Sequence, residues 1–141
     1  MHLSLTTPRG ALVDAEVDEV TAPGALGEFG VLPGHVPFLS VLRAGVFVYR
    51  TKEGPRYLAV GDGVLEVARV SGDKGDKVLV LVDQATHARE IDRDAAAKEL
   101  AAVDQEIAHW KKESPGEFQA LQARRAWVAA RVDAAARIAP H

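Results

Sequence analysis

The stretch Val78-Leu79-Val80-Leu81-Val82-Asp83-Gln84-Ala85-Thr86-His87-Ala88-Arg89-Glu90-Ile91-Asp92-Arg93-Asp94-Ala95-Ala96-Ala97 holds a change of structural class. Its first five residues are valine and leucine without a polar break, a strand pattern, and its last residues are acids followed by alanines, a helix start. The composition on either side agrees. Residues 1–84 hold eleven of the twelve glycines and fifteen valines, whereas the 57 residues that follow hold one glycine, Gly116, and seventeen alanines. A turn-rich β body followed by an alanine-rich helical tail is expected, with a boundary that divides the chain into 1–86 and 87–141. Because Val78 to Val82 is apolar on both faces, this strand is expected to be covered on both sides, with the tail as the candidate cover.

Outward toward the N-terminus the hydrophobic period is two. Val13, Ala15 and Val17 alternate with Asp14, Glu16 and Asp18, and Asp18-Glu19 breaks the phase before Val20, which calls for a bulge or a bend. Further strands are expected at His2–Thr6, Val36–Leu42, Gly45–Arg50, Arg56–Val60, Val64–Val70 and Lys77–Val82. Turn chemistry separates them at Pro8-Arg9-Gly10, Lys52-Glu53-Gly54-Pro55 and residues 71–76. Seven or more short strands without intervening helices predict an antiparallel β-sandwich or flattened barrel, and the whole chain is α+β.

Toward the C-terminus the period is helical. Ala96, Leu100, Val103, Ile107 and Trp110 form a narrow seam, with Asp92 as N-cap and Lys111 and Lys112 suited to the far end. Ser114-Pro115-Gly116 is read as the break, and a second helix over 117–138 carries Phe118, Leu121, Arg125, Val128, Val132 and Ala135 on one stripe. So short a break predicts an antiparallel two-helix hairpin. Alanine contacts bury little area, so the hairpin is expected to be weakly held, either a moving part or a static cap on the sheet.

Charge and composition exclude several classes. The net charge of -3 leaves no basic excess for phosphate neutralisation, which argues against nucleic acid. All of it lies in the body, since the tail is neutral overall while residues 119–138 carry four positive charges and one negative. There is no cysteine, hence no disulfide or thiolate chemistry, and no apolar run near the roughly 20 residues of a membrane span. An intracellular, soluble protein is expected.

Catalytic constellations are scarce. Among the five histidines no His-x-x-x-His pair or matching carboxylate suggests a metal, and the terminal ones, His2 and His141, are expected to be solvated. His35 lies in a turn, with Ser40 the nearest candidate nucleophile, a weak basis for a hydrolase. The glycine-rich residues 24–34 lack the Gly-Lys-Ser/Thr ending of a P-loop. No catalytic residue, metal or cofactor is assigned.

The most unusual passage is Gly27-Glu28-Phe29-Gly30-Val31-Leu32-Pro33-Gly34-His35-Val36-Pro37-Phe38-Leu39. It is read as a loop in which Gly27 and Gly30 permit positive-φ geometry and Pro33-Gly34 makes a type II turn. It resembles the Gly-x-x-Gly-x-x-Pro-Gly-His-x-Pro-x-Leu signature of the epsilon subunit of bacterial F-type ATP synthases. Arg43-Ala44-Gly45 and residues 57–67 follow at that family's spacing, with Asp62 set between Gly61 and Gly63 where the family usually has a Gly-Gly pair.

That resemblance implies a β body that binds γ and rests on the c-ring, within the central stalk that couples proton flow to ATP synthesis. By position, Glu28, Gly30, Pro33, Gly34 and His35 would make the c-ring and γ contact. Glu28 is equally readable as an exposed turn carboxylate, and His35 as a residue that fixes its turn. The resemblance further implies that the hairpin can leave the body and restrain ATP hydrolysis, with Arg124, Arg125 and Arg131 meeting the α and β subunits. Some members bind ATP through Ile/Leu-Asp-x-x-Arg-Ala. Here Ile91 and Asp92 match but Ala95 stands at the arginine position, a degenerate site expected to bind ATP weakly or not at all. Membrane attachment would be indirect, peripheral on the cytoplasmic face of the bacterial inner membrane. The alternative from another class is a stand-alone β-sandwich binding module with a helical cap.

Overall fold

In the computed structural model, which describes residues 1–34, 36–69, 75–111 and 114–138, ten strands precede two helices. The strands are β1 His2–Thr7, β2 Gly10–Glu16, β3 Glu19–Gly24, β4 Gly27–Val31, β5 Phe38–Leu42, β6 Gly45–Thr51, β7 Gly54–Val60, β8 Gly63–Arg69, β9 Asp76–Val82 and β10 Ala85–His87. A 3-10 turn, Ala88–Glu90, leads to α1, Arg93–Ala108, and α2, Pro115–Arg137. His35, Val70 and Lys112, which carried expectations above, lie outside the described residues, as do 71–74 and His141.

The strands form one sheet in the order β10-β7-β6-β3-β5-β8-β9-β1-β2, with β4 added on β3. All pairs are antiparallel except β1 with β9, which run parallel with His2 opposite Lys77 and Leu5 opposite Val80. The sheet closes on one core because alternate residues of nearly every strand point inward. Leu3, Leu5, Val20, Val31, Leu42, Phe47, Leu58, Val60, Leu65, Val78 and Val80 are all fully buried in it. The phase break at Asp18 is a bend rather than a bulge: the chain leaves β2, the Asp18 N–H donates to the Arg50 carbonyl at 2.8 Å, and β3 starts beside β6.

The close turns depend on absent side chains. A Cβ on Gly63 would lie 2.0 Å from the Leu81 carbonyl oxygen, so only glycine admits the β8–β9 approach there. Asp62, the departure between the two glycines, caps a neighbouring turn by accepting the Ala44 N–H at 3.0 Å.

The tail docks elsewhere than expected. Val78, Val80 and Val82 face the core, but Leu81 on the outer face of β9 is 46% exposed. The tail covers β6 and β7 instead, where α2 lays Ala130 and Ala134 against Ala59 and Ala88, with Val46, Tyr57, Ile91 and Trp127 around them. Small residues on both sides let helix and sheet come close, and leucines on β9 would hold the helix off.

The helix ends also differ. α1 stops at Ala108, with the His109 N–H and ring Nδ1 both on the Gln105 carbonyl, so Trp110 and Lys111 fall beyond it. Trp110 stacks on Phe118 at 4.9 Å between ring centroids and closes the hairpin. Ser114-Pro115 starts α2 rather than merely breaking the chain. Ser114 accepts the Glu117 N–H and proline occupies the first helical position, where its missing N–H costs nothing.

Candidate functional site

The 27–34 passage is not a loop throughout. β3 and β4 form a hairpin with Ala25 and Leu26 at its tip, and Leu26 is fully exposed. Glu28 therefore sits on strand β4, opposite Pro23, with its side chain in solvent, and Gly30 faces Thr21 in ordinary extended geometry. Of the two glycines read as permitting positive φ, Gly27 adopts it at +129° and Gly30 does not. The chain reads as strand because Phe29 packs edge-on against Phe38, at 5.8 Å, and Val31 is buried, anchoring alternate positions.

Pro33 and Gly34 make the expected turn, with Gly34 at φ +84°, and both are exposed. The turn is tied down by a residue that sequence reading missed. Asp76, at the start of β9, is buried, accepts the Gly34 N–H at 2.5 Å and has Arg69 Nε 3.8 Å from its other oxygen. The signal was available, because Asp76 is in phase with Val78, Val80 and Val82, the inward residues of its strand. Glu28, Gly30, Pro33 and Gly34 thus lie on one hairpin arm and the turn that follows it, while His35 lies outside the described residues.

Next to this arm an apolar surface is left open. Leu39 is 67% and Val41 52% exposed on β5, and the register carries Val41 across Val64 to Leu81 and Leu39 across Glu66 to Leu79. Neither helix packs on β5, β8 or β9 to any extent comparable with β6 and β7. On the other side of the arm, Glu28 and Arg43 share a groove of about 460 Å³ with Asp133 and Arg137 of α2. Arg137 also lies over the Tyr57 ring at 5.9 Å, a cation–π contact that seats the end of α2.

The three arginines of α2 are engaged within the hairpin. Arg124 forms a two-point bond with Glu106, at 3.0 and 3.4 Å, Arg125 reaches Asp104 at 2.6 Å, and Arg131 reaches Glu99 at 2.8 Å. Asp104 beside it holds the Arg125 guanidinium even above its usual range. Seven residues separate Glu99 from Glu106 and also Arg124 from Arg131, two turns on each helix, so antiparallel pairing brings both pairs into register together. Sequence reading found the arginines and missed their partners, although that matched spacing was the signal.

The degenerate nucleotide motif is dispersed. Ile91 is half-buried in the alanine contact below α2, Asp92 caps α1 by accepting the Ala95 N–H at 3.0 Å, and the Ala95 methyl is in solvent. Asp92 is thereby committed to the helix start.

His2, expected to be solvated, is held between two carboxylates on the outer face of β1 and β2. Its Nδ1 is 2.9 Å from Glu16 and its Nε2 is hydrogen-bonded to Asp14. These bonds, Glu16 first, raise its pKa above the ordinary value.

Comparison with known proteins gives three findings. Residues 1–88 match the family described as ATP synthase, Delta/Epsilon chain, beta-sandwich domain. The chain is 40% identical over 141 residues to the ATP synthase epsilon chain of Geotalea uraniireducens, covering 99% of this chain and 96% of that one. It is 44% identical over 115 residues to that of Geobacter sulfurreducens, covering 82% and 77%. Among solved structures, a chain of the Euglena gracilis mitochondrial ATP synthase OSCP/F1/c-ring assembly superposes with a TM-score of 0.75 at 22% identity, covering 95% of this chain and 79% of that one. One from the Tetrahymena thermophila central stalk and c-ring gives 0.62 at 15% identity, with 96% of both covered. The structural likenesses speak to the fold, and the sequence likenesses to the family.

Proposed function

The chain belongs to the ATP synthase delta/epsilon family, and from that premise we propose that it is a non-catalytic central-stalk subunit of a rotary, proton-translocating ATP synthase, joining γ to the c-ring. In this reading the body, residues 1–86, is the stalk element, and residues 87–141 are a regulatory hairpin that restrains ATP hydrolysis.

The observation that carries the reading is the uncovered apolar strip of Leu39, Val41 and Leu81 on a body whose docked helix, α2, lies on β6 and β7 instead. A surface of this kind on a small domain marks a protein contact, and we assign it to γ. The adjoining arm and turn, Glu28, Gly30, Pro33 and Gly34, together with His35 outside the described residues, are assigned to the contact with the ring and the foot of γ. Among the described residues no helix is long and apolar enough to cross a membrane. In this proposal attachment is peripheral, at the cytoplasmic face of the bacterial inner membrane, through the ring. Arg124, Arg125 and Arg131 are offered to α and β only when the hairpin opens, because in the folded hairpin Glu106, Asp104 and Glu99 occupy them.

Co-expression with γ tests the stalk assignment. A stable complex is expected, and Leu39→Asp with Leu81→Asp should abolish it while the isolated chain keeps its melting curve. A chain that stays monomeric beside γ overturns the assignment in favour of a stand-alone binding module. Removing the hairpin tests regulation, and the pairing of β10 with β7 moves the cut beyond Thr86 to follow Glu90. The truncated subunit should assemble and raise ATP hydrolysis by the complex. Unchanged hydrolysis refutes the inhibitory role.

A further inference from the structure

α1 is attached to the molecule chiefly through α2. α2 packs on β6, on β7 and on the 3-10 turn, whereas the neighbour of α1 is α2. Of the sixteen residues of α1 only Ala96 and Val103 are buried, with Leu100 and Ile107 half-buried beside them, a modest apolar area to hold a helix in place. α2 by contrast buries Val128, Ala130, Ala134 and Ala135, and seats Trp127 and Arg137 on the sheet. At sixteen residues α1 is barely longer than the roughly 12–15 below which an isolated helix is marginal in water, so docking supplies much of its stability.

Between α1 and α2 lie three arginine–carboxylate pairs, Arg124–Glu106, Arg125–Asp104 and Arg131–Glu99, spread over two turns of each helix, with the Trp110–Phe118 stack at the hairpin's closed end. Arg131 is the least exposed of the three arginines. We infer that these pairs are the latch of the hairpin, and that it opens in order: α1 releases and melts first, in a salt-sensitive step, while α2 remains seated on β6 and β7. Partly exposed pairs are weakened by screening, whereas the alanine contact of α2 with the sheet is not. The inference concerns the chain alone and does not depend on what the opened hairpin meets, so hydrolysis measurements on the complex leave it untouched.

Hydrogen exchange of the full chain, followed by mass spectrometry, tests it, with the strands as the control for folding. Raising salt from about 0.05 M to about 1 M should speed exchange in α1 by about threefold to tenfold and leave residues 127–135 of α2 unchanged. Arg131→Glu should do the same at low salt, and so should the milder Glu99→Gln. The reciprocal double variant Glu99→Arg with Arg131→Glu should restore protection, which a merely disrupted interface would not. The inference is overturned by α1 and α2 accelerating together, by exchange indifferent to salt and charge, or by a double variant no better protected than the single ones.

Discussion

The Gly34 amide donates to Asp76 Oδ2 at 2.5 Å, across 42 residues of chain. This bond fixes the exposed Pro33-Gly34 turn to the first residue of β9, so the geometry of the proposed ring-facing end is set from inside the body. A bond to a carboxylate contributes roughly 1.5–3 kcal/mol, and here water can replace part of it because Gly34 is exposed. Asp76→Ala should therefore lower stability by about 1–2 kcal/mol in urea unfolding, and Asp76→Asn, which keeps an acceptor oxygen, by less.

Glycines in the two family-like passages are not equivalent. Gly63→Ala would place a methyl 2.0 Å from the Leu81 carbonyl oxygen, and backbone cannot yield as a side chain can. A loss of about 3 kcal/mol or more is expected. At Gly30 the nearest atom to a new Cβ is the Val20 oxygen at 3.8 Å, and the backbone is extended. Gly30→Ala should leave the unfolding midpoint nearly unchanged, so any effect of that substitution on assembly reports a contact with a partner.

His2 makes stability depend on pH. Its folded pKa is raised by Glu16 and Asp14 above the ordinary value near 6.5. The stabilisation is then fully present below about pH 6.5 and is lost as pH rises through the folded value. The group is exposed, so the effect is small, and denaturation midpoints should fall slightly between about pH 6 and pH 8. His2→Gln should flatten that slope.

ATP should not bind to the hairpin with useful affinity. Asp92 is spent on the cap of α1, Ala95 offers a methyl to solvent, and Arg125 and Arg131 are paired to carboxylates. Calorimetric titration of the chain with ATP should show no heat of binding. A dissociation constant in the micromolar range would contradict this.

What the sequence could convey depended on how local each signal was. Alternation marked β1, β2, β5 and β6 to β8, because burial on one face leaves a period of two wherever it occurs, and β9 showed as an unbroken run of valine and leucine. β4 stayed hidden, since its Gly-Glu-Phe-Gly-Val pattern has two glycines and only Val31 fully buried. β10 is three residues long and is defined only by its pairing with β7. The side on which α2 docks followed from matched small residues, Ala59 with Ala130 and Ala134, a property of two distant segments at once. The same holds for the site. Pro33-Gly34 announced its turn locally, whereas Asp76 and the carboxylates of α1 acquire meaning only once their partners 42, 32, 21 and 18 residues away are in place.

The parallel pairing of β1 with β9 also sets the order in which the molecule can be made. β1 has its inner neighbour at Lys77 to Leu81, so on a ribosome adding about 5–20 residues per second it waits roughly 4–15 s for it. Until then Leu3 and Leu5, fully buried in the finished body, have β2 as a strand neighbour but not β9. Once β9 has emerged the body can close, and only afterwards does the hairpin leave the ribosome. The helices are thus delivered after β6 and β7, the strands on which α2 docks.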